Sequence, residues 1–165
     1  MSKILCLYYS RTGTTREVVK QLSELIDMEI VRITDGKRRK GALGFWKSGF
    51  DAMKKTPERL CPFATNHYLD EYDHVILATP VWAGRCSSVA KAFLIKHGKQ
   101  LPERVSFVIT HSGDDSYEEV FRQMDQYIPV RHCRGLSLQP KEDDRHQKVY
   151  DFARVILAIE EEHAR

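Results

Sequence analysis

Apolar and polar positions change their period several times along the chain, and each change marks an element. KILCLYY, residues 3–9, is almost unbroken in its apolar character, the pattern of a strand covered on both faces. From Thr14 the spacing becomes helical. Val18, Val19, Leu22, Leu25 and Ile26 share one side, with Arg16, Glu17, Lys20 and Glu24 on the other, which predicts a helix over 14–26. EIVRI (29–33) reads as a short strand, DHVILATP (73–80) as a second apolar strand, and residues 87–97 as its helix. RVSFVIT (104–110) is another strand, followed by a helix around 116–127 and a weaker strand over 130–138. A closing helix runs from Arg145 to about Glu162, with Val149, Phe152, Ala153, Ile156 and Ile159 inward. Strands alternating with helices predict βαβ units, hence an α/β fold with a parallel sheet covered on both faces. The irregular stretch lies between Thr34 and Asn66. Inside it GFWKSGFDAMKK can form a helix, with Trp46, Phe50 and Met53 on one side.

Composition narrows the class. With 165 residues the chain has the size of one domain, 1–165, able to bury a core without disulfides. The start, MSKILCLYYSRT, lacks the features of a signal peptide, and no apolar run approaches the roughly 18 residues of a membrane span. Cys6, Cys61, Cys86 and Cys133 are scattered without a CxxC pair or a metal-ligand cluster, and are expected to be free thiols in a reducing cytoplasm. Cys86 sits near a predicted helix start, where a thiol pKa can fall, but is read as inert. The net charge of +3 is too small to imply nucleic acid. Positive charge is nevertheless concentrated in a basic, glycine-containing insert at about 35–66. Between Gly36 and Arg59, Lys37, Arg38, Arg39, Lys40, Lys47, Lys54, Lys55 and Arg59 face only Asp51 and Glu58.

The candidate chemistry begins at SRTGTT, residues 10–15, between the first strand and its helix. A strand end opening a helix aims backbone N–H groups and the positive end of the helix dipole at one point. Ser10, Thr12, Thr14 and Thr15 add hydroxyls, and Gly13 permits the tight turn and close approach. One such residue would be an ordinary cap. Four hydroxyls and a glycine in six residues point to a phosphate. GxGxxG is absent, so a dinucleotide fingerprint is not supported. GALGFWKS (41–48) fails as a P-loop because Trp46 stands where its second glycine is needed. Cys6 and Arg11 are one residue too close for a phosphatase loop.

SRTGTT resembles the [ST]-x-T-G-x-T phosphate loop with which flavodoxins hold FMN, matching at Ser10, Thr12, Gly13 and Thr15, with Arg11 and Thr14 at the variable positions. PVWAG, Pro80–Val81–Trp82–Ala83–Gly84, is similar to the second loop of that family. The resemblance implies that Trp82 stacks on the isoalloxazine ring and that a peptide of this turn meets its N5 proton. THSGDDSYEE is similar to the third loop, where Thr110, Ser112 and Gly113 would contact the pyrimidine edge. Tyr117 would cover the other ring face or belong to the helix that follows. His111 would donate to flavin or substrate, or simply face solvent, and Asp114 and Asp115 read as helix-start charges. The resemblance implies a three-layer flavodoxin-like fold with a five-stranded parallel sheet in the order 2-1-3-4-5. It also implies FMN as cofactor and electron transfer to a redox partner protein. Carrier flavodoxins are typically acidic, whereas this chain is mildly basic, so an FMN-dependent NAD(P)H:quinone reductase is the alternative, with NAD(P)H and a quinone-like acceptor as partners. An FMN- or phosphate-binding module without turnover is a third option. The insert can cover the cofactor, bind nucleotide phosphates, form a homodimer contact, or remain a solvated basic loop.

Overall fold

The computed structural model describes residues 1–53 and 59–165, so Lys54, Lys55 and Glu58 of the basic stretch lie outside the described residues. The first strand, β1 (Ile4–Tyr8), pairs in parallel with β2 (Glu29–Arg32) on one side and β3 (His74–Trp82) on the other. Next to β3 lie β5 (Val105–Thr110) and then β6 (Arg134–Leu138), again parallel, which gives the order β2-β1-β3-β5-β6. The five parallel strands therefore follow the expected 2-1-3-4-5 order. Among the described residues the sheet has one addition, the two-residue strand β4 (Arg85–Cys86), which folds back antiparallel on the end of β3.

Helices cover both faces, as the unbroken apolar strands require. Alternate residues of β1 go to opposite sides, Leu5 and Leu7 to one core and Ile4 and Cys6 to the other. The first core is closed by α3 (Ser88–His97) and α4 (Glu118–Asp125), through Phe93 and Phe121. The second is closed by α1 (Thr14–Ser23) and α5 (Arg145–Ala164), through Val18, Val19, Leu22, Phe152 and Ile156.

Several boundaries differ from the expectation. α1 ends at Ser23, so Ile26 is buried by the turn after it while Leu25 points outward, no longer bound to the helical period. β6 begins at Arg134 rather than Val130. In α5, Ile159 is half-buried and the fully inward residue is Glu160, which accepts hydrogen bonds from Arg104 and pairs with His74. Asp114 and Asp115 precede α4 in the loop, where they accept hydrogen bonds from Gln139 and from the Tyr117 N–H; the carboxylates of the first helical turn are Glu118 and Glu119.

The insert holds α2 (Gly41–Met53). Its inward side is small and polar, made by Gly44, Ser48, Asp51 and Ala52. Its large apolar residues, Leu43, Phe45, Trp46, Phe50 and Met53, are all exposed. What fixes this orientation is Arg39, whose side chain is fully buried. Its guanidinium donates to Asp35 at 2.6 and 3.0 Å, to Asp51 at 2.8 and 3.1 Å, and to the Tyr9 hydroxyl at 3.4 Å. The clamp ties the residues before α2 and its last turn to the end of β1. A solvated basic loop thus does not describe Arg39, whose buried guanidinium holds the segment down.

Candidate functional site

The carboxyl ends of β1, β3 and β5 bring three loops to one edge of the sheet. The first runs from Ser10 to the start of α1. Gly13 takes φ 104°, in the left-handed region that favours glycine, and its N–H donates to Ser10 Oγ at 3.0 Å. Its carbonyl accepts the first helical bond, from the Glu17 N–H at 3.0 Å. The N–H groups of Thr14, Thr15 and Arg16 open the helix and have no carbonyl within it to bond. Thr15 is buried, and its hydroxyl pairs with that of Thr110 at 2.8 Å, joining the first loop to the third.

The second loop is the turn between β3 and β4. Trp82 pairs with Arg85, leaving Ala83 (φ 51°) and Gly84 (φ 71°) as its two central residues. Positive φ at both positions makes this a hairpin turn of the I′ kind, in which Ala83 is strained by about 1 kcal/mol. The third loop is held from β6: His111 Nδ1 lies 2.9 Å from the Gly113 carbonyl and Nε2 lies 2.8 Å from Ser137 Oγ. Gln139 donates to the Ser112 carbonyl at 3.2 Å. Both ring nitrogens of His111 are thus engaged within the loop, so the imidazole orders Ser112 and Gly113 rather than offering a nitrogen to the cavity. Tyr117 has φ 54° and sets its ring 4.5 Å from that of His111. A Cβ on Gly113 would lie 2.2 Å from the Tyr117 hydroxyl, so the glycine is what lets this ring fold over the loop.

The loops enclose two communicating spaces. A cleft of about 120 Å³ is lined by Ser10, Arg11, Thr12, Thr14, Thr15, Pro80 and Thr110, with Pro140 on its far side. A cavity of about 500 Å³ is lined by Ala83, Gly84 and Tyr117 on one side and by Phe45, Trp46, Gly49, Phe50 and Met53 of α2 on the other. Phe45, Val81, Trp82, His111 and Ser112 line both, so the two form one continuous space. Of the residues singled out from sequence, only Gly13 and Gly113 lie behind its surface, where they shape backbone. The cleft is polar and carries the Arg11 guanidinium, which donates to the Arg39 carbonyl at 3.3 Å and lies 5.9 Å from the centre of the Phe45 ring. The cavity is apolar and of a size usual for a small-molecule site. No carboxylate lines either space among the described residues. These residues fit a ligand with an anionic tail and a flat apolar head.

No protein-family model and no curated protein matches the sequence. The solved structures give a different result. A candidate flavoprotein of Bacteroides eggerthii DSM 20697 superposes with a TM-score of 0.76 at 21% identity, covering 95% of this chain and 99% of the other. A Lactobacillus acidophilus NCFM flavoprotein in complex with FMN gives 0.67 at 18% identity, over 92% of this chain and 99% of its own. Oxidised flavodoxin 2 of Bacillus cereus gives 0.58 at 17% identity, over 95% and 99%.

The chain has a flavodoxin-like fold.

Within that fold Trp82, the residue expected to stack, lines the space but is mostly buried. Its side chain is only 6% exposed, with the Tyr9 ring set against it edge-on at 5.5 Å and the Arg39 guanidinium over it at 5.1 Å. It walls the space but is committed to the core. Cys86 is buried beside it, and burial pushes its thiol up to about 12, which keeps it a thiol at neutral pH. The residues that sequence reasoning missed are Phe45, Gly49, Pro140, Ser137 and Gln139, and above all the burial of Arg39. The aromatic stripe of α2 was visible in the sequence; that it faces a cavity instead of a core was not. Only the clamp decides that, and nothing in its spacing announces it.

Proposed function

We propose that this flavodoxin-like protein binds FMN in the joined cleft and cavity and serves as an electron-transfer protein. The observation that supports this reading is the meeting of the Ser10–Thr15 loop with the second and third loops around one continuous space, polar at one end and apolar at the other. Bound FMN would supply one- and two-electron redox chemistry, with the protein contributing binding and orientation. The opening N–H groups of α1, the hydroxyls of Ser10, Thr12 and Thr14, and Arg11 would hold its phosphate. Thr15 and Thr110 lock their loops to each other, so this end is set before a ligand arrives. The apolar walls would exclude water from the ring, and the Ala83–Gly84 turn offers its backbone groups there in a fixed orientation. The Lactobacillus structure, which contains FMN on the same fold, supports the choice of cofactor.

The apolar breadth of the cavity favours a second reading, an FMN-dependent NAD(P)H:quinone reductase whose acceptor enters beside the ring. The two are separated by anaerobic visible spectra of FMN-reconstituted protein, titrated with NADPH and then with dithionite. A carrier is expected to ignore NADPH and to take electrons from dithionite in two separate one-electron steps. Direct two-electron bleaching by NADPH would overturn the carrier in favour of the reductase.

A further inference from the structure

α2 is apolar on the wrong side for a helix that merely packs. Trp46 is 75% exposed and Phe50 is 70% exposed, and with Met53 they follow i, i+4, i+7 spacing, one stripe of the helix. That stripe, flanked by Phe45 and Gly49, forms one wall of the 500 Å³ cavity. An apolar patch of this kind on an otherwise ordinary surface marks a binding surface. Here its occupant follows from continuity: the cavity opens through Phe45, Val81 and Trp82 into the polar cleft of the phosphate loop. The aromatic side chain of the second loop, Trp82, is only 6% exposed, with Arg39 over its ring and Tyr9 edge-on against it, so it offers the cavity far less surface than α2 does. α2 in turn cannot swing freely away. Arg39, two residues before its start, holds its last turn through Asp51 and is itself held by Asp35, and Gly44 lies so close to the Arg39 backbone that an added Cβ would sit 2.2 Å from its carbonyl carbon.

We propose that the insert supplies a ring-stacking surface of this site, and that Trp46 and Phe50 pack against the isoalloxazine ring. The inference rests on the FMN reading given above. It makes the insert part of the cofactor site and gives a physical reason for an exposed aromatic stripe next to a buried cationic clamp. Aromatic stacking on a heterocycle is worth about tenfold in affinity or more per ring removed.

The test compares FMN with riboflavin, which has the same ring without the phosphate, by quenching of flavin fluorescence on titration with protein. Trp46→Ala and Phe50→Ala are expected to weaken both ligands by the same factor, about tenfold. Thr12→Ala is expected to weaken FMN and leave riboflavin unchanged. The urea midpoint of each variant is measured alongside, and affinities are compared for the folded fraction. If wild-type protein binds neither flavin, the FMN reading falls and this inference with it. If wild type binds FMN and the α2 variants bind both ligands as tightly as wild type does, the FMN reading stands and the stacking role of α2 is overturned. A loss confined to FMN in the α2 variants overturns it too, because it would assign the helix to the phosphate end.

Discussion

α1 and α2 are both crossover helices, α1 between β1 and β2 and α2 between β2 and β3, and they are built in opposite senses. α1 buries Val18, Val19 and Leu22 against the sheet and turns Arg16, Glu17, Lys20 and Glu24 outward, so its position follows from water leaving apolar surface. α2 buries Gly44, Ser48, Asp51 and Ala52 and leaves its aromatic residues outside. It is held by one guanidinium with all of its N–H directions committed to two carboxylates and a phenol. Burial pushes the Tyr9 hydroxyl upward in pKa, with Arg39 opposing, so the phenol remains a neutral acceptor for the cation. The contrast shows how a fold can present an apolar wall to a ligand: the helix must be fixed by something other than its apolar face.

That contrast is broken most directly by taking the two anchors away. Arg39→Met would take from the buried Asp35 and Asp51 the cation that they share, a loss expected to cost about 3–5 kcal/mol. The cost should fall on α2 first, read as lost hydrogen-exchange protection across Gly41–Met53 and weaker FMN binding. Leu22→Ala in α1 should cost about 3 kcal/mol through the cavity it leaves. It would appear as a lower urea midpoint for the whole domain, with FMN affinity retained in the folded fraction. If Arg39→Met lowers global stability while protection in α2 is unchanged, the clamp is a core element and not the anchor of the helix.

The same contrast explains which parts of the molecule were legible in the sequence. The five parallel strands and α1, α3 and α5 declare themselves because burial on one or both faces writes a period into the residues, whereas the two-residue β4 is too short to carry one. The order of the five parallel strands followed from that alternation together with the resemblance at SRTGTT. The loops at Ser10–Thr15, Pro80–Gly84 and Thr110–Ser112 were legible because small, hydroxyl and glycine residues cluster at strand ends. The aromatic stripe of α2 declared a helix but not its orientation. Periodicity gives the direction of a helical face relative to its own axis, and partners outside that periodicity, here Asp35, Asp51 and the distant Tyr9 around Arg39, fix it relative to the rest. Trp82 illustrates the same limit, since whether a tryptophan after a strand offers a face or fills a core depends on what packs on it.

Acid should separate the two helices without any substitution. Burial alone would raise the Asp35 carboxyl, but hydrogen bonds from Arg39 and from the Lys37 N–H, with the Arg39 charge, hold it below its ordinary value of 3.8. A folded-state pKa below the unfolded one means that stability is fully present above pH 3.8 and is lost as pH falls through the folded value. The inward face of α1, formed by Thr15, Val18, Val19 and Leu22, carries no titratable group. His74 and Glu160 at the opposite end of the sheet are also held below their ordinary values, His74 chiefly by burial and Glu160, against burial, by hydrogen bonds from His74 and Arg104. They add an acid-dependent loss shared by the whole domain, beginning for His74 as pH falls below 6.5. Protection factors corrected for intrinsic exchange should therefore fall together in both helices as pH drops below 6.5, and in α2 ahead of α1 once it drops below 3.8. Simultaneous loss in both helices below pH 3.8 would mean that α2 has no separate acid-labile anchor.

The finest distinction lies within α2, between two glycines of one helix. At Gly44 an added Cβ would lie 2.2 and 2.5 Å from the carbonyl carbon and oxygen of Arg39, and backbone atoms cannot turn aside as a flexible side chain can. Gly44→Ala should therefore push the helix off its clamp at a cost of about 1–3 kcal/mol. At Gly49 the nearest atom to an added Cβ is Ala83 Cβ at 3.9 Å, an ordinary contact. Replacing that glycine removes backbone freedom from the unfolded chain, so Gly49→Ala should stabilise the helix by up to about 1 kcal/mol. Urea denaturation followed through α2 should move in opposite directions for the two variants. Equal destabilisation by both would mean that α2 also packs tightly on the Ala83–Gly84 turn, leaving less room between helix and turn than a bound ring requires.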